Sequence, residues 1–518
     1  MRTAIPACPK CRKYRVYDDP PRNWRNAKKE ETYCILHAPA EEKADINNFN
    51  FQLKLHIKKL LNQNQAHYIN LSGAIFPHKL RFADLFQNLD NSFINLTNCT
   101  FVEDVYFSDL TNGNAFNCNQ SEFCKEVFFS NTKFISKFDL LDITFQDNVY
   151  FDSADLTKGL LIANTRFNKR FFIKNGQCSN ITVLASDFYG NTFFENTMLV
   201  TFELVNSKFL SNIHFYNTCQ DYINFNHNYF AGDAEFYNTN ILGSFKFENN
   251  ICNAGVYFNN VDCTGSASFA RTRFNDFTSL RFSKFSSNLN FNEACAKETI
   301  YFERVEFAES VDFGAFTANK TIQLSWINMH KIILNNAPIE AFCFTNCVWP
   351  QADGHFRVAN HSTSKPNDLI DVYRRQKKIS KLNHDELRAS DWHWQEKEML
   401  LKTKTTPPVT YYFLIFYRFL SGYGEEPQRA FWVLIALLAL PVILFAYFEP
   451  FQYSDQSKIS WSIFCNVFTD WYNCLPLSKF SPYEEYSILR KVSYLLFQVC
   501  ITLQASLLAF SLRNKLRR

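Results

Sequence analysis

The sequence predicts a mainly β chain, a parallel β-solenoid of stacked coils closed by an α-helical membrane end. Three observations carry this. Apolar residues, most often Phe, recur every eleven positions between Phe101 and Met329. The residue two before the recurring position is usually small or β-branched. Two charge-free apolar stretches near the end of the chain are each long enough for a bilayer.

The period comes as interleaved series. One runs Phe101, Phe123, Phe134, Phe145, Leu156, Phe167, Cys178, broken only by Asn112. Its partner runs Phe107, Cys118, Phe129, Leu140, Phe151, Ile162, Ile173, Leu184. The clock restarts as Phe225, Phe236, Phe247, Phe258, Phe269, Leu280, Phe291, Phe302, Phe313, Leu324. Phe230, Ile241, Cys252, Cys263, Phe274, Phe285, Ala296, Phe307, Ala318 and Met329 accompany it. An eleven-residue repeat can supercoil helices. Here the offsets of five and six would scatter the apolar residues over different helix faces. The Asn, Phe, Thr and Ser content also disfavours helix. Val105, Val127, Val149, Ala234, Val256, Ala267, Ile300, Val305 and Val311 stand two before a core position. Residues i−2 and i share one side of a strand. Each unit therefore reads as a very short strand and a corner, and stacking the coils buries a ladder of rings.

This pattern resembles the pentapeptide-repeat family, in degenerate form, over roughly residues 71–340. The resemblance implies a right-handed quadrilateral β-helix of about 22 residues per coil, hence about eleven coils. Between Leu184 and Phe225, Phe188, Phe194, Phe209 and Phe215 leave the register. A bulge or irregular loop is expected there.

The expected segments are an N-terminal knuckle (1–50), a capping helix (51–70), the solenoid (71–349), a helical hairpin (368–402) and a membrane domain (411–518). The N-terminal segment holds Cys8-Pro-Lys-Cys11 and Cys34-Ile-Leu-His37. Two such knuckles have the spacing of a closed structural zinc site, and a metal would supply what so polar a segment cannot bury. Zinc is therefore the expected cofactor. Sixteen Cys in 518 residues are sparse, and several sit at core positions of the clock, where a thiol acts as a small hydrophobe.

The hairpin follows from a stripe of Leu369, Val372, Tyr373, Gln376, Ile379 and Leu382, interrupted at Asn383-His384-Asp385. Its cations Arg374, Arg375, Lys377, Lys378 and Lys381 could meet anionic lipid. The spans are expected at 430–448 and 492–512. Basic residues flank both, ending in Arg513, Lys515, Arg517 and Arg518, while 449–491 carries four cations against five acids. The positive-inside rule then predicts a cytoplasmic (inner) membrane protein with both termini and the solenoid cytoplasmic. Tyr417-Arg418-Phe419-Leu420-Ser421-Gly422-Tyr423-Gly424-Glu425-Glu426-Pro427 resembles a junction of membrane-anchored bacterial pentapeptide-repeat proteins, as does the order repeats, hairpin, two spans, basic tail.

Two functional readings follow. The first is a membrane-tethered scaffold whose polar solenoid faces bind a protein partner or sense a signal. The second is an ion-channel-like homo-oligomer of the two-span domain, with Trp461–Phe480 re-entrant and Asp470, Trp471 and Pro476 as pore-loop candidates. That loop has no Gly, so a carbonyl filter of the potassium type is not encoded. Some pentapeptide-repeat proteins mimic DNA, but here both charge signs are scattered along the repeats, and nucleic acid is not an expected partner. No phosphate loop, His-Glu-x-x-His or Gly-x-Ser-x-Gly is present, so no enzyme is expected.

Overall fold

The computed structural model describes residues 34, 36–43, 45–62, 68–86, 92–108, 115–448, 459–476 and 488–516. It divides into two compact units, the first ending at Val348 and the second beginning at Trp349.

The first unit is a parallel β-solenoid. One coil reads Thr144–Phe145, Val149–Asp152, Asp155–Leu156 and Leu160–Ala163, four short strands for four sides. Each pairs with its equivalent one coil on: Phe145 lies opposite Phe167, Phe151 opposite Ile173, Leu156 opposite Cys178. Twelve strands stack along one side, from Ile75–Phe76 to Thr317–Ala318, so there are about twelve coils, one more than expected.

Both inward positions of each strand are filled as the i−2 pattern requires. Val149 and Phe151, Val256 and Phe258, and Ile300 and Phe302 are all within 1% of full burial. Phe76, Phe101, Phe123, Phe145, Phe167, Phe188 and Phe209 form one offset stack, with successive centroids 4.5–5.0 Å apart. Phe134, Phe236, Phe247, Phe269, Phe274, Phe291 and Phe313 are buried as well. Phe307 is only half-buried because Glu306–Phe307 is the last strand on its side and no coil covers it.

The corners explain the Asn content. Asn131, Ser153, Asn175, Asn196, Asn217, Asn238 and Asn260 occupy successive turns of one corner with φ between 49° and 56°. Asn tolerates this left-handed region better than other residues with a Cβ. Four of these amides also bond along the ladder, each donating to the one a coil before, from Asn196 to Asn175 (3.2 Å) through Asn260 to Asn238 (2.7 Å). The residue after the corner points inward and is often a small hydroxyl. Ser121 Oγ donates to the Leu96 carbonyl (2.8 Å), Thr165 Oγ1 to Leu140 (2.9 Å) and Thr272 Oγ1 to Phe247 (2.6 Å). Buried Asn228 and Asn250 do the same through their amides. These groups satisfy carbonyls that a corner would otherwise leave unpaired.

The expected irregularity at 185–225 is absent. The coils there are in parallel register, but three of them are 21 residues long. In the preceding coil Thr157, Lys158 and Gly159 separate two sides, and Gly159 takes φ 101°. One coil later only Ser179 and Asn180 stand there, and the two sides fuse into a single strand, Gln177–Leu184. Met198–Val205 and Cys219–Asn226 repeat this before Leu242-Gly243-Ser244 restores the corner. The missing residue also moves Leu184 outward (37% exposed) and puts Val183 in the core. Phe188, Phe194, Phe209 and Phe215 are all buried.

Helix α1 (Ile46–Asn62) precedes the coils and starts earlier than the 51–70 expected. A single helical turn, α2 (Phe82–Phe86), lies within the first coil. Burial pushes the Cys118, Cys178 and Cys263 thiols up to about 12.

The second unit opens with an antiparallel strand pair, Gln351–Ala352 with His355–Phe356, between the segments expected as solenoid and hairpin. Helices α3 (Pro366–Leu382) and α4 (Glu386–Lys402) form the hairpin. Asp385 caps α4, accepting from Arg388 N at 3.1 Å. Leu369, Val372, Tyr373, Gln376 and Ile379 are buried as the stripe predicts, whereas Leu382, at the helix end, is 69% exposed. Then come α5 (Pro408–Ser421), α6 (Pro427–Phe448), α7 (Ile459–Asn473) and α8 (Ile488–Leu516).

Candidate functional site

Helices α6 and α8 are long and apolar enough to cross a membrane. A core helix of a soluble domain would be mostly covered. Only 11% of the apolar window of α6 is buried, and 17% of that of α8. Helix α5 was missed from sequence. Too short to span, it exposes Val409, Tyr412, Phe413, Phe416 and Phe419 at 62–83% while Leu414 and Ser421 face inward. The i, i+3, i+4, i+7 spacing of Val409, Tyr412, Phe413 and Phe416 was the available signal.

The Ser421–Gly424 motif is a backbone knot. Gly422, Tyr423 and Gly424 take φ of 55°, 58° and 77° in succession. A Cβ on Gly422 would fall 2.9 Å from the Trp394 ring, and one on Gly424 2.7 Å from the Tyr417 hydroxyl. Gly424 N donates to Ser421 Oγ (3.0 Å), and the buried Tyr423 hydroxyl donates to Glu398 (3.0 Å). Gln504 on α8 donates to the carbonyls of Leu420 (2.9 Å) and Ala430 (2.8 Å), and Asn514 to that of Gly424 (3.2 Å). The motif therefore joins the hairpin to both long helices.

The pore-loop candidates separate. Trp471 lies on α7 and donates its indole N–H to the Leu438 carbonyl (2.9 Å), halfway along α6. The neighbouring Leu437 carbonyl is the one Pro441 deprives of its helical donor. Asp470 is buried, and Arg490 and Tyr494 of α8 both donate to it. It is thus an internal tie between α7 and α8, not a solvated acid. Pro476 is exposed three residues beyond α7. Gln498 donates to the Asn473 (2.8 Å) and Leu475 (3.3 Å) carbonyls, so the carbonyl end of α7 is partnered within the chain. Arg490 and Lys491, read from sequence as loop, belong to α8.

In the first unit, Cys34 Sγ and His37 Nδ1 are 3.0 Å apart, both buried. A turn brings them together: the His37 and Ala38 amides both donate to the Cys34 carbonyl (3.0 Å). His37 Nε2 donates to the Ser72 carbonyl (2.9 Å), leaving Nδ1 as the lone-pair nitrogen facing the sulfur. A metal-ligating His is oriented in the same way by its other N–H. Cys8 and Cys11 lie outside the described residues. Among the described residues no group of three or more His, Cys, Asp or Glu is placed to hold a metal.

The outer solenoid surface carries an aromatic ladder. Tyr106, Phe128, Tyr150, Phe172, Phe193 and His214 stack on one side with centroids 4.6–5.0 Å apart. At another corner Arg304 lies over exposed Phe282 and Trp326, 5.8 Å from each ring.

Comparisons of the chain with protein-family models, curated proteins and solved structures gave no match in any of the three.

Proposed function

We propose that this chain is a membrane-tethered interaction scaffold, with α5, α6 and α8 in contact with lipid and the solenoid presenting its faces to a protein partner. One observation carries the reading: the second unit leaves apolar sides of α5, α6 and α8 uncovered by protein. Water would penalise that surface, and a bilayer would not. The aromatics of α5 suit the interface between headgroups and acyl chains. The charge distribution supports a two-span arrangement in an inner membrane, with termini and solenoid cytoplasmic. The pentapeptide-repeat resemblance supports the same assembly of parts. The reading assigns no catalytic step and no nucleic-acid partner.

A structural zinc belongs to this reading. Cys34 and His37 fit as one half of a tetrahedral site, with Cys8 and Cys11 as the other. The metal would fix the N-terminal segment onto the first coil through Ser72.

Flotation tests the tether. The full chain should float with vesicles and resist extraction at alkaline pH, and a thiol label at Cys343 should react only after the cytoplasmic side is opened. A chain recovered in the soluble fraction would remove the proposal. A second reading, an oligomeric pore, is favoured by one observation: α7 runs back along α6 and ends near its middle. Planar bilayers decide it, since unitary currents from the purified chain are required.

A further inference from the structure

In the second unit a cavity of about 330 Å³ opens where α4, α5, the Ser421–Gly424 knot and the end of α8 converge. It is lined by Lys381 and Arg513, by Glu386 and Glu425, and by Ser390 and His393. Burial, with the Lys377 charge next, pushes the His393 imidazole down to about 4, so it is neutral at neutral pH. The lining thus carries two cations and two carboxylates. Among the described residues neither Lys381 nor Arg513 forms an ion pair with a carboxylate; Ser390 Oγ donates to Glu425, and the Arg513 guanidinium lies over the Phe510 ring, 4.8 Å from its centroid. Tyr417 and Phe510 supply apolar walls.

Its position along the chain narrows the occupant. Arg513 is the first charge after the apolar stretch 492–512, so it marks the level at which a bilayer's hydrocarbon would give way to headgroups. Phe510 belongs at once to the cavity wall and to the exposed apolar side of α8, and Tyr417 lies on α5 between Phe416 and Phe419. A molecule filling the cavity would therefore carry both charge signs at one end and place an apolar tail on α5 and α8. Arg513 suits a phosphodiester, which a guanidinium can hold in a bidentate pair. Glu386 and Glu425 suit an ammonium, with the Tyr417 ring as a further cation partner.

We infer that this cavity is a binding site for the headgroup of a zwitterionic phospholipid bearing a primary ammonium, the phosphoethanolamine class. The inference rests on the membrane reading above. It predicts selectivity: a choline headgroup lacks the N–H donors that two carboxylates would accept, and a glycerol headgroup lacks the cation.

The test uses the full chain in detergent, with phosphatidylethanolamine, phosphatidylcholine and phosphatidylglycerol of identical acyl chains added in turn and adducts counted by native mass spectrometry. Ethanolamine lipid should be retained about tenfold over choline lipid, the discrimination of one charge-assisted bond. Arg513→Gln should lower retention of all three lipids, whereas Glu386→Gln should lower only the ethanolamine preference. Arg513 is exposed and Glu386 half-buried, and Lys381→Gln repeats the phosphate arm should Arg513→Gln misfold. Equal retention of ethanolamine and choline lipid, or glycerol lipid ahead of both, overturns the assignment. Glycerophosphoethanolamine and inorganic phosphate, added without lipid, separate the sources. Competition by the former supports the headgroup site, and equal competition by phosphate overturns it. Flotation is scored separately: a chain that floats without headgroup preference loses this site but keeps the tether.

Discussion

Replacing Phe145 by Ala should open the solenoid locally at a cost that can be worked from the structure. The ring is fully buried, and its centroid lies 5.0 Å from those of Phe123 and Phe167. An aromatic side chain buries about 150–250 Å². At about 25 cal/mol per Å², that is about 4–6 kcal/mol for the whole ring, part of which Ala's own Cβ retains. Two parallel stacks add about 0.5–1.5 kcal/mol each, and relaxation of the neighbouring rings returns some of the total. A loss of about 3–5 kcal/mol is expected, a large share of a typical domain's stability. Because each coil touches only its neighbours, the effect should be local. Hydrogen exchange read by mass spectrometry on the full chain is the assay. Amides of 122–129 and 165–174 should lose protection by that amount, while α3 and α4 keep theirs. Phe145→Leu, close in volume, should cost less than about 1.5 kcal/mol. A loss below about 1 kcal/mol for Phe145→Ala, or equal loss throughout the chain, would refute the stacked-core reasoning.

Four further outcomes are expected. Ala185 holds φ 47° at a corner that most other coils give to Asn or another polar residue, so Ala185→Asn should stabilise the neighbouring coils by about 0.5–1 kcal/mol in the same exchange experiment. The hairpin should be acid-sensitive in two steps. Burial first, and then neighbouring cations, push His361 and His393 down to about 4, so both stay neutral in the fold; unfolding lets them take up protons, and stability complete above about pH 6.5 declines as pH falls towards 4. Glu396 contributes below that: burial alone would raise it, but Lys377 and Arg374 hold it under its ordinary value, so its contribution is present above about pH 4.5 and is lost as pH falls through its lowered pKa. Tryptophan-detected melting against pH should show both limbs, the double variant His361→Asn/His393→Asn should flatten the upper one, and persistence of that limb in the variant counts against the assignment. Metal analysis of the purified full chain should find about one zinc, lost in Cys34→Ser; equal zinc in both would exclude Cys34 as a ligand. Asp470→Asn should lower the melting temperature in detergent, because Arg490 would lose its buried carboxylate; an unchanged melt with altered bilayer currents would instead return Asp470 to the pore.

The candidate site was legible in fragments. Cys34 and His37 announced themselves by spacing, and the two spans by length and absence of charge. Asp470 stood out as an acid between spans, but its partners Arg490 and Tyr494 come from another helix and no spacing rule reaches them. Gly422-Tyr423-Gly424 stood out as part of a junction motif, while its three left-handed residues form a knot that depends on Trp394, Glu398 and Gln504 from distant segments. The headgroup cavity has no motif at all, because its charges come from residues 381 to 513 and are united only by packing.

The solenoid itself was written in the sequence because its code is local: a side chain inward at i−2 and i, then a corner, repeated in fixed register. That fixes which rings stack on which as soon as the period is counted. What the period could not say is how a deleted residue is absorbed. Dropping one position between Cys178 and Ile181 could have bulged the strand, but the ladder from the coil below holds the register, and two sides straighten into one. The use of Asn at corners likewise required backbone angles, since only the sign of φ separates a structural Asn from a surface one. Local periodicity determined the repeat. The tertiary structure decided the partners of every group that does not repeat, since those contacts join residues up to 90 positions apart.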